Sequence, residues 1–456
     1  MSQVVNPAST AATPPSFLSR RYTTYMFWLL WGTNFINYVD RYAFSAVLPA
    51  VRDEFRLSFF QEGLLATSFL LVYTLGILPL GLLADRIQRK FVVAGGVAFW
   101  SLVTAVTAIA PNYGALFATR AALGLGEGSY FPASTSMLAS CYPPAKRASI
   151  MSRWNTGLLV GAAIGTTGGG LIYGLLGNQW RPVFLVFGIP GLLLALLVAL
   201  VKEPPRSAEG ETISAETALA REGWAGIRRD LGDLWKIASL RVVVALQALS
   251  FFVFGATSLF LSQLIHDQFG VSIGLAGTIT GAVLVVGGIT GLLAGGSISD
   301  ALVRRYPGAR VLVSGWGFAL SVPTFAIAVL AMIFDFGLSK EVRLYGLFVP
   351  FFFLAVALLQ VNSGPLTAVS QDVVTPAKRA AAVGLTLMLS HLLGDLFSPS
   401  IVGLLADNLK GFAGSKAFGY ALLITCVPIL IAAAIVGIWG ARFVKGDEER
   451  AQGAAA

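Results

Sequence analysis

Twelve stretches of mainly apolar residues follow one another along this chain, and nothing else in it limits the fold so tightly. Their approximate limits are 24–50, 60–84, 91–110, 113–140, 148–176, 181–201, 241–265, 271–299, 310–334, 342–371, 379–406 and 417–444. Crossing the hydrocarbon core of a bilayer as an α-helix takes about 20 such residues. Runs longer than that allow tilt or extension into water. Lipid offers backbone groups no partner, so the spans must satisfy their own hydrogen bonds as helices. The expected fold class is an all-α membrane protein with 12 transmembrane helices.

Charge supports this reading. Only 12% of the 456 residues are charged, about half the fraction of a soluble domain. The formal charge of +9 could serve nucleic acid or an anionic membrane surface. The cations sit between apolar segments, so the expected partner is the lipid bilayer and not nucleic acid. Cys141 and Cys426 lie in apolar stretches far apart and read as packing thiols rather than a disulfide. The first twenty residues lack an apolar core, so no cleavable signal peptide is expected and the first helix would direct insertion.

Lys and Arg also set the topology. With an even number of spans, one side holds 22 of the 32 cations, including Arg86, Arg89, Lys90, Lys146, Arg147, Lys378 and Arg379, and the other holds 7, including Arg52, Arg343 and Lys410. The remaining three lie inside helices. The positive side, with both termini, is expected to be cytoplasmic, in a bacterial inner membrane.

The run Pro-Ala-Lys-Arg-Ala occurs at 144–148 and again at 376–380. A looser echo joins Gly81-Leu-Leu-Ala-Asp85-Arg86-Ile-Gln-Arg89-Lys90 to Gly296-Ser-Ile-Ser-Asp300-Ala-Leu-Val-Arg304-Arg305. Each pair is six helices apart, as a duplicated six-helix unit requires. The expected organisation is an N-terminal tail 1–23, a bundle 24–202, a linker 203–240, a second bundle 241–445 and a tail 446–456. Parallel repeats of this kind place a substrate site near the midplane between halves. In the linker, Trp224, Ile227, Leu231, Leu234, Trp235 and Ala238 recur at helical steps beside Arg221, Arg228, Arg229 and Lys236. This fits an amphipathic helix on the membrane surface, with a plain solvated linker as the alternative.

The Gly81–Lys90 run resembles the loop signature of the major facilitator superfamily, and Arg120-Ala-Ala-Leu-Gly-Leu-Gly-Glu127 resembles its fourth-helix pattern. Gly157, Gly161, Gly165 and Gly169 step by four, as in the superfamily's fifth helix, though no proline follows a glycine there. Asn34-Phe-Ile-Asn37-Tyr38-Val-Asp40-Arg41, Gly95–Thr104 and Ser390-His391-Leu-Leu-Gly-Asp395-Leu-Phe-Ser-Pro399 resemble the Spinster family. The first of these and the fourth-helix pattern are also similar to the anion:cation symporters. The resemblance implies two pseudo-symmetric six-helix bundles working by alternating access. It implies a lysolipid or sphingolipid phosphate as substrate, or a sugar acid or similar organic anion coupled to protons.

Ionisable residues at membrane depth usually line a cavity or pair with one another. Asp40 and Arg41 lie in the first helix, Arg120 and Glu127 in the fourth. The expectation is a proton-coupling cluster. Asp40 and Glu127 would carry protons. Arg120 would bind an anionic head group and loosen its hold on one of those acids, with Arg41 beside it. A static ion-pair network ordering the two helices is the alternative. No Lys or Arg is expected inside helices 7–12. Their polar candidates are His391 and Asp395, one turn apart, with Gln360 and Asn362, while Asn37 adds an amide in the first half. Asp85, Arg86, Arg89 and Asp300 are expected as a cytoplasmic gate, in which aspartate would hold a facing helix N-terminus. No phosphate-binding Gly-x4-Gly-Lys run exists to couple ATP hydrolysis. Two histidines in different settings supply no metal or catalytic set, so neither metal nor cofactor is expected. A membrane enzyme or a non-transporting sensor would be the reading from another class. The chain is expected to work as a monomer on a small-molecule or lipid substrate together with protons.

Overall fold

The computed structural model describes residues 19–142, 144–203, 232–303, 305–375 and 378–453. Every extended element among them is helical, and they fall into twelve spans. The first half comprises α1 (Arg20–Phe55), α2 (Phe59–Arg86), α3 (Arg89–Thr107), α4 (Tyr113–Cys141), α5 (Pro144–Leu175) and α6 (Arg181–Ala199). The second half comprises α7 (Ala238–Ser258 and Leu261–Phe269), α8 (Ile273–Val303), α9 (Ala309–Ile333), α10 (Lys340–Asp372, in pieces), α11 (Arg379–Leu393 and Ser398–Ala413) and α12 (Ala417–Gly453).

The starts follow from local chemistry. Ser19, Ser58 and Asn112 cap α1, α2 and α4 by accepting from backbone N–H groups three residues on, as short polar side chains do at helix N-termini. Among the described residues nine stretches are long and apolar enough to cross a membrane, with α11 and α12 merged into one of them. The two spans that fall short are α1 and α4, which carry Asp40, Arg41, Arg120 and Glu127.

Several boundaries differ from the sequence expectation. Helix α7 breaks at Leu259–Phe260 and α11 at Gly394. A Cβ at Gly394 would lie 2.5 Å from the Ala248 carbonyl oxygen, so only glycine lets α11 bend against α7. Helix α10 opens with a π-helical stretch, Arg343–Phe348. Arg343, expected in a loop, is buried within this span and donates to the carbonyls of Ala331 and Phe334 at 3.2 Å. Its guanidinium satisfies the C-terminal carbonyls of α9, a role cations fill well at that helix end. Helix α12 continues through residues expected as a tail, because Asp447 turns inward and accepts from Ser239 N and Oγ at 2.8 and 2.7 Å. Most of the expected amphipathic linker helix, including Trp224, Ile227 and Leu231, lies outside the described residues. Residues 232–236 of it are helical.

Within the first half α1 packs on α5, α2 on α4, and α3 on both α4 and α6. The glycine ladder of α5 explains the first pair. Cβ atoms at Gly161 and Gly165 would sit 2.5 and 2.6 Å from the carbonyl oxygens of Phe35 and Val39, so the two backbones touch. Small residues at four-residue spacing permit this approach.

The halves meet through α5 on α8 and α2 on α11. Among the described residues, the hydrogen bonds and close approaches of this seam concentrate at the end away from the chain termini. Arg52 of α1 makes a two-pronged pair with Asp267 of α7, at 2.6 and 3.1 Å. Asp407 of α11 accepts from Phe59 N and Phe60 N at 3.2 and 2.8 Å, at the N-terminus of α2. Thr67 bonds Leu396 O and Ser400 Oγ, both at 2.8 Å. Phe59, Phe260 and Phe418 form an aromatic cluster across the seam.

Candidate functional site

Helix α1 presents Asn34, Asn37, Asp40 and Arg41 at steps of three, three and one, so they cover one broad face. Each is held by a neighbour from another helix. Asn34 Nδ2 donates to Trp154 O at 2.9 Å, and Tyr130 Oη donates towards Asn34 Oδ1 and Asn37 Oδ1 at 2.8 and 3.2 Å. Trp154 Nε1 donates back to Leu30 O at 3.0 Å. This α1–α4–α5 network fixes the rotation of α1 and so the direction of the charged pair below it.

Arg41 Nη2 and Nε bind Glu127 Oε2 at 2.6 and 3.2 Å. The guanidinium stands against the rings of Tyr38, Phe69 and Tyr73, 4.8–5.1 Å from their centroids. A cation gains from the negative faces of such rings. Glu127 is 0% exposed while Arg41 is 24% exposed. The pair therefore has a buried acid behind and a solvent-reaching base in front. Glu127 Oε1 and the neighbouring Asn37 Nδ2 carry no hydrogen bond of good geometry.

Asp40 and Arg120 form an inner layer, 1% and 4% exposed. Asp40 Oδ2 accepts from Thr104 of α3 at 3.3 Å, and its Oδ1 has no partner. Arg120 lies over Phe44 at 4.6 Å and near Phe184 at 5.7 Å, with Nε and Nη2 unpartnered. It lies in the field of both acids without bonding either. The structure thus gives Glu127 a different partner from the expected Arg120. Seven helical residues rise about 10.5 Å, too far for a direct pair along α4, whereas Arg41 approaches from α1.

In the second half His391 Nδ1 bonds both Asp395 oxygens at 3.0 and 3.1 Å, beside the α11 break, with its ring 4.5 Å from that of Phe251. Tyr42 and Tyr73 of the first half lie within the electrostatic reach of both Arg41 and Asp395, so this pair lies near the charged site of the first half. Asn362 Nδ2 bonds Ser250 Oγ at 3.1 Å and also Leu359 O, tying α10 to α7. Gln360 faces Gly288 of α8.

Of the expected gate residues, Arg89 and Asp300 have described side chains, and each is bound within its own half. The side chains of Asp85 and Arg86 lie outside the described residues. Arg89 is buried, bound to Glu203 Oε1 at 2.8 Å and to Ser136 and Ser140, all within the first half. Asp300 pairs with Arg310 at 3.3 Å, and Arg310 also binds Asp372. Among the described residues no three His, Cys, Asp or Glu gather as metal ligands.

A model of the Major Facilitator Superfamily matches residues 30–397. The chain belongs to the major facilitator superfamily. As a member it is a transporter and not an enzyme, and its fold and helix count are those the superfamily implies. Rat protein spinster homolog 1 is 28% identical over 453 residues, 95% of this chain and 84% of that protein. Zebrafish protein spinster homolog 3 is 29% identical over 395 residues, 83% and 76% of the two chains. The crystal structure of a bacterial homologue of the human lysosomal transporter Spinster, inward-facing and unoccupied, superposes with a TM-score of 0.81 at 23% identity, covering 94% of this chain and 99% of that one. A D-xylose–proton symporter superposes at 0.65 with 16% identity, over 90% and 97%. This facilitator is therefore Spinster-like in sequence, as its α1, α3 and α11 motifs implied.

Sequence reasoning missed the seam residues Arg52, Glu62, Gln263, Asp267 and Asp407. Glu62 carried a signal, an acid just inside the start of an apolar run. Arg52, Asp267 and Asp407 looked like ordinary loop charges and Gln263 like an uncharged polar residue in an apolar run, and their pairing is set by the packing of one half against the other.

Proposed function

We propose that this protein is a proton-coupled carrier of an anionic amphiphile, such as a lysolipid or a sphingolipid phosphate, working by alternating access. The Arg41–Glu127 pair supports this reading most directly. One arginine reaches solvent, and its single strong partner is a buried carboxylate. Arg41 can hold either Glu127 or the anionic head group of a substrate. When Glu127 takes a proton its hold on Arg41 falls to a neutral hydrogen bond, and Arg41 is free for the substrate. Proton and anion then bind together and leave together, the arithmetic of a symporter. Asp40 is the second acid on this route, and Arg120 supplies a fixed positive field behind both. The Tyr38, Phe69 and Tyr73 rings around Arg41, with Phe251 opposite, suit an apolar chain beside a charged head.

Closure of the seam at the end away from the termini is one state of an alternating-access cycle. The cation bias of the loops supports the terminal end being the cytoplasmic side of a bacterial inner membrane. The test is uptake into proteoliposomes under an imposed pH gradient, with lysophospholipids, sphingoid phosphates and sugar acids compared. Saturable accumulation of an amphiphile that collapses with the gradient is the expected result. Accumulation of sugar acids alone would transfer the assignment to small organic anions, as in a symporter of the xylose type.

A further inference from the structure

Glu62 is a buried acid that the proposed transport route does not use. It lies in the first turn of α2, 0% exposed, at the seam between halves. With the Gln263 amide turned so that both its ends are satisfied, its nitrogen donates to Glu62 Oε2 at 3.0 Å while its oxygen accepts from Arg52. Glu62 Oε1 has no partner. Gln263 and Asp267 come from α7, in the opposite half from Glu62 and Arg52.

The charges around Glu62 can be counted element by element. From α1 comes Arg52, itself paired with Asp53, and from α7 Asp267. From α11 come Lys410 and Asp407, bound to each other at 2.9 Å. Tyr113 of α4 donates to Gln61 O at 3.1 Å. His266 on α7 spends Nδ1 on Val271 O. Both terminal nitrogens of Arg52 are taken by Asp267, and Lys410 is taken by Asp407. An ionised Glu62 here is a buried carboxylate with one hydrogen bond and no cation of its own, an arrangement that proteins avoid. If the halves part at this end, Gln263 and Asp267 leave with the second half. Arg52 is then free to pair with Glu62 in water.

We infer that Glu62 is a second proton site, which takes up a proton as the halves close at the end away from the termini and releases it as they part. Protons on that side would then favour closure there, independently of the pair at the midplane. The inference rests on the alternating-access reading but not on the roles given to Asp40 and Glu127.

The test uses the full chain in nanodiscs with spin labels at Gln179 and Phe412, exposed positions on opposite halves at this end, and with Cys141→Ser. Asp40→Asn and Glu127→Gln are introduced so that the midplane acids are silent. Distance distributions between pH 5 and pH 8 should show the short, closed population rising on acidification, by up to about tenfold in ratio per pH unit, the limit for one linked proton. Adding Glu62→Gln should hold the ratio constant across the range, and Glu62→Asp should restore a pH dependence. No pH dependence in the Asp40→Asn, Glu127→Gln chain, or an unchanged dependence after Glu62→Gln, would overturn the inference. Neither result bears on whether Glu127 couples transport, which the uptake assay reads separately.

Discussion

Arg41 of α1 and Glu127 of α4, 86 positions apart in the chain, meet in an ion pair of 2.6 Å whose acid is fully buried and whose base reaches solvent. In the proposed transport cycle that asymmetry lets the pair act as a switch. Removing one member leaves the other charged in a low-dielectric site, at a cost of about 3–5 kcal/mol. Arg41→Ala should therefore lower the thermal unfolding midpoint at neutral pH. Adding Glu127→Gln should recover much of the loss, because the stranded carboxylate is gone. Equal losses in the single and double variants would show that Arg41 stabilises by packing on its three aromatic neighbours instead.

Arg41→Lys separates charge from shape. Lysine keeps the charge but offers no planar fork. Binding of the anionic substrate should weaken, raising KM, while turnover at saturating substrate changes less. An unchanged KM would place the head group elsewhere.

The α1–α5 contact has no room for a side chain at Gly161 or Gly165. Overpacking costs about 1–3 kcal/mol, so Gly165→Val should lower the unfolding midpoint in detergent. Gly174→Ala, where a Cβ meets nothing within 4 Å, should not. Equal behaviour of the two variants would contradict the close backbone approach.

Asp407 holds the N-terminus of α2 from the opposite half. A carboxylate at a helix N-terminus contributes up to about 1 kcal/mol, close to a fivefold change in an equilibrium. Asp407→Asn should move the spin-label distances across the seam toward the open population by about that factor. No change would mean that the other contacts of the seam keep this end shut without it.

Much of the architecture was written in the apolar runs. Most spans begin and end within a few residues of their expected limits, because lipid thickness sets helix length, while α11 and α12 run on to Ala413 and Gly453. What the pattern could not show were the breaks at Leu259–Phe260, in α10 and at Gly394, since a kink leaves the apolar count intact. The four midplane charges were legible as exceptions to that pattern. Their pairing was not, because it depends on how α1 is rotated against α4, and the Tyr130–Asn34–Asn37 network sets that rotation. Arg343 and Asp447 were assigned to loop and tail, because a charge at a helix end reads alike whether it faces water or folds back to cap a neighbour.

In the proposed cycle Glu127 carries the proton whose arrival frees Arg41 for the substrate. The most direct test compares gradient-driven accumulation with counterflow exchange in Glu127→Gln proteoliposomes. The variant should exchange internal for external substrate but no longer concentrate it when a pH gradient is imposed. A Glu127→Gln protein that still concentrates substrate as the wild type does would contradict it.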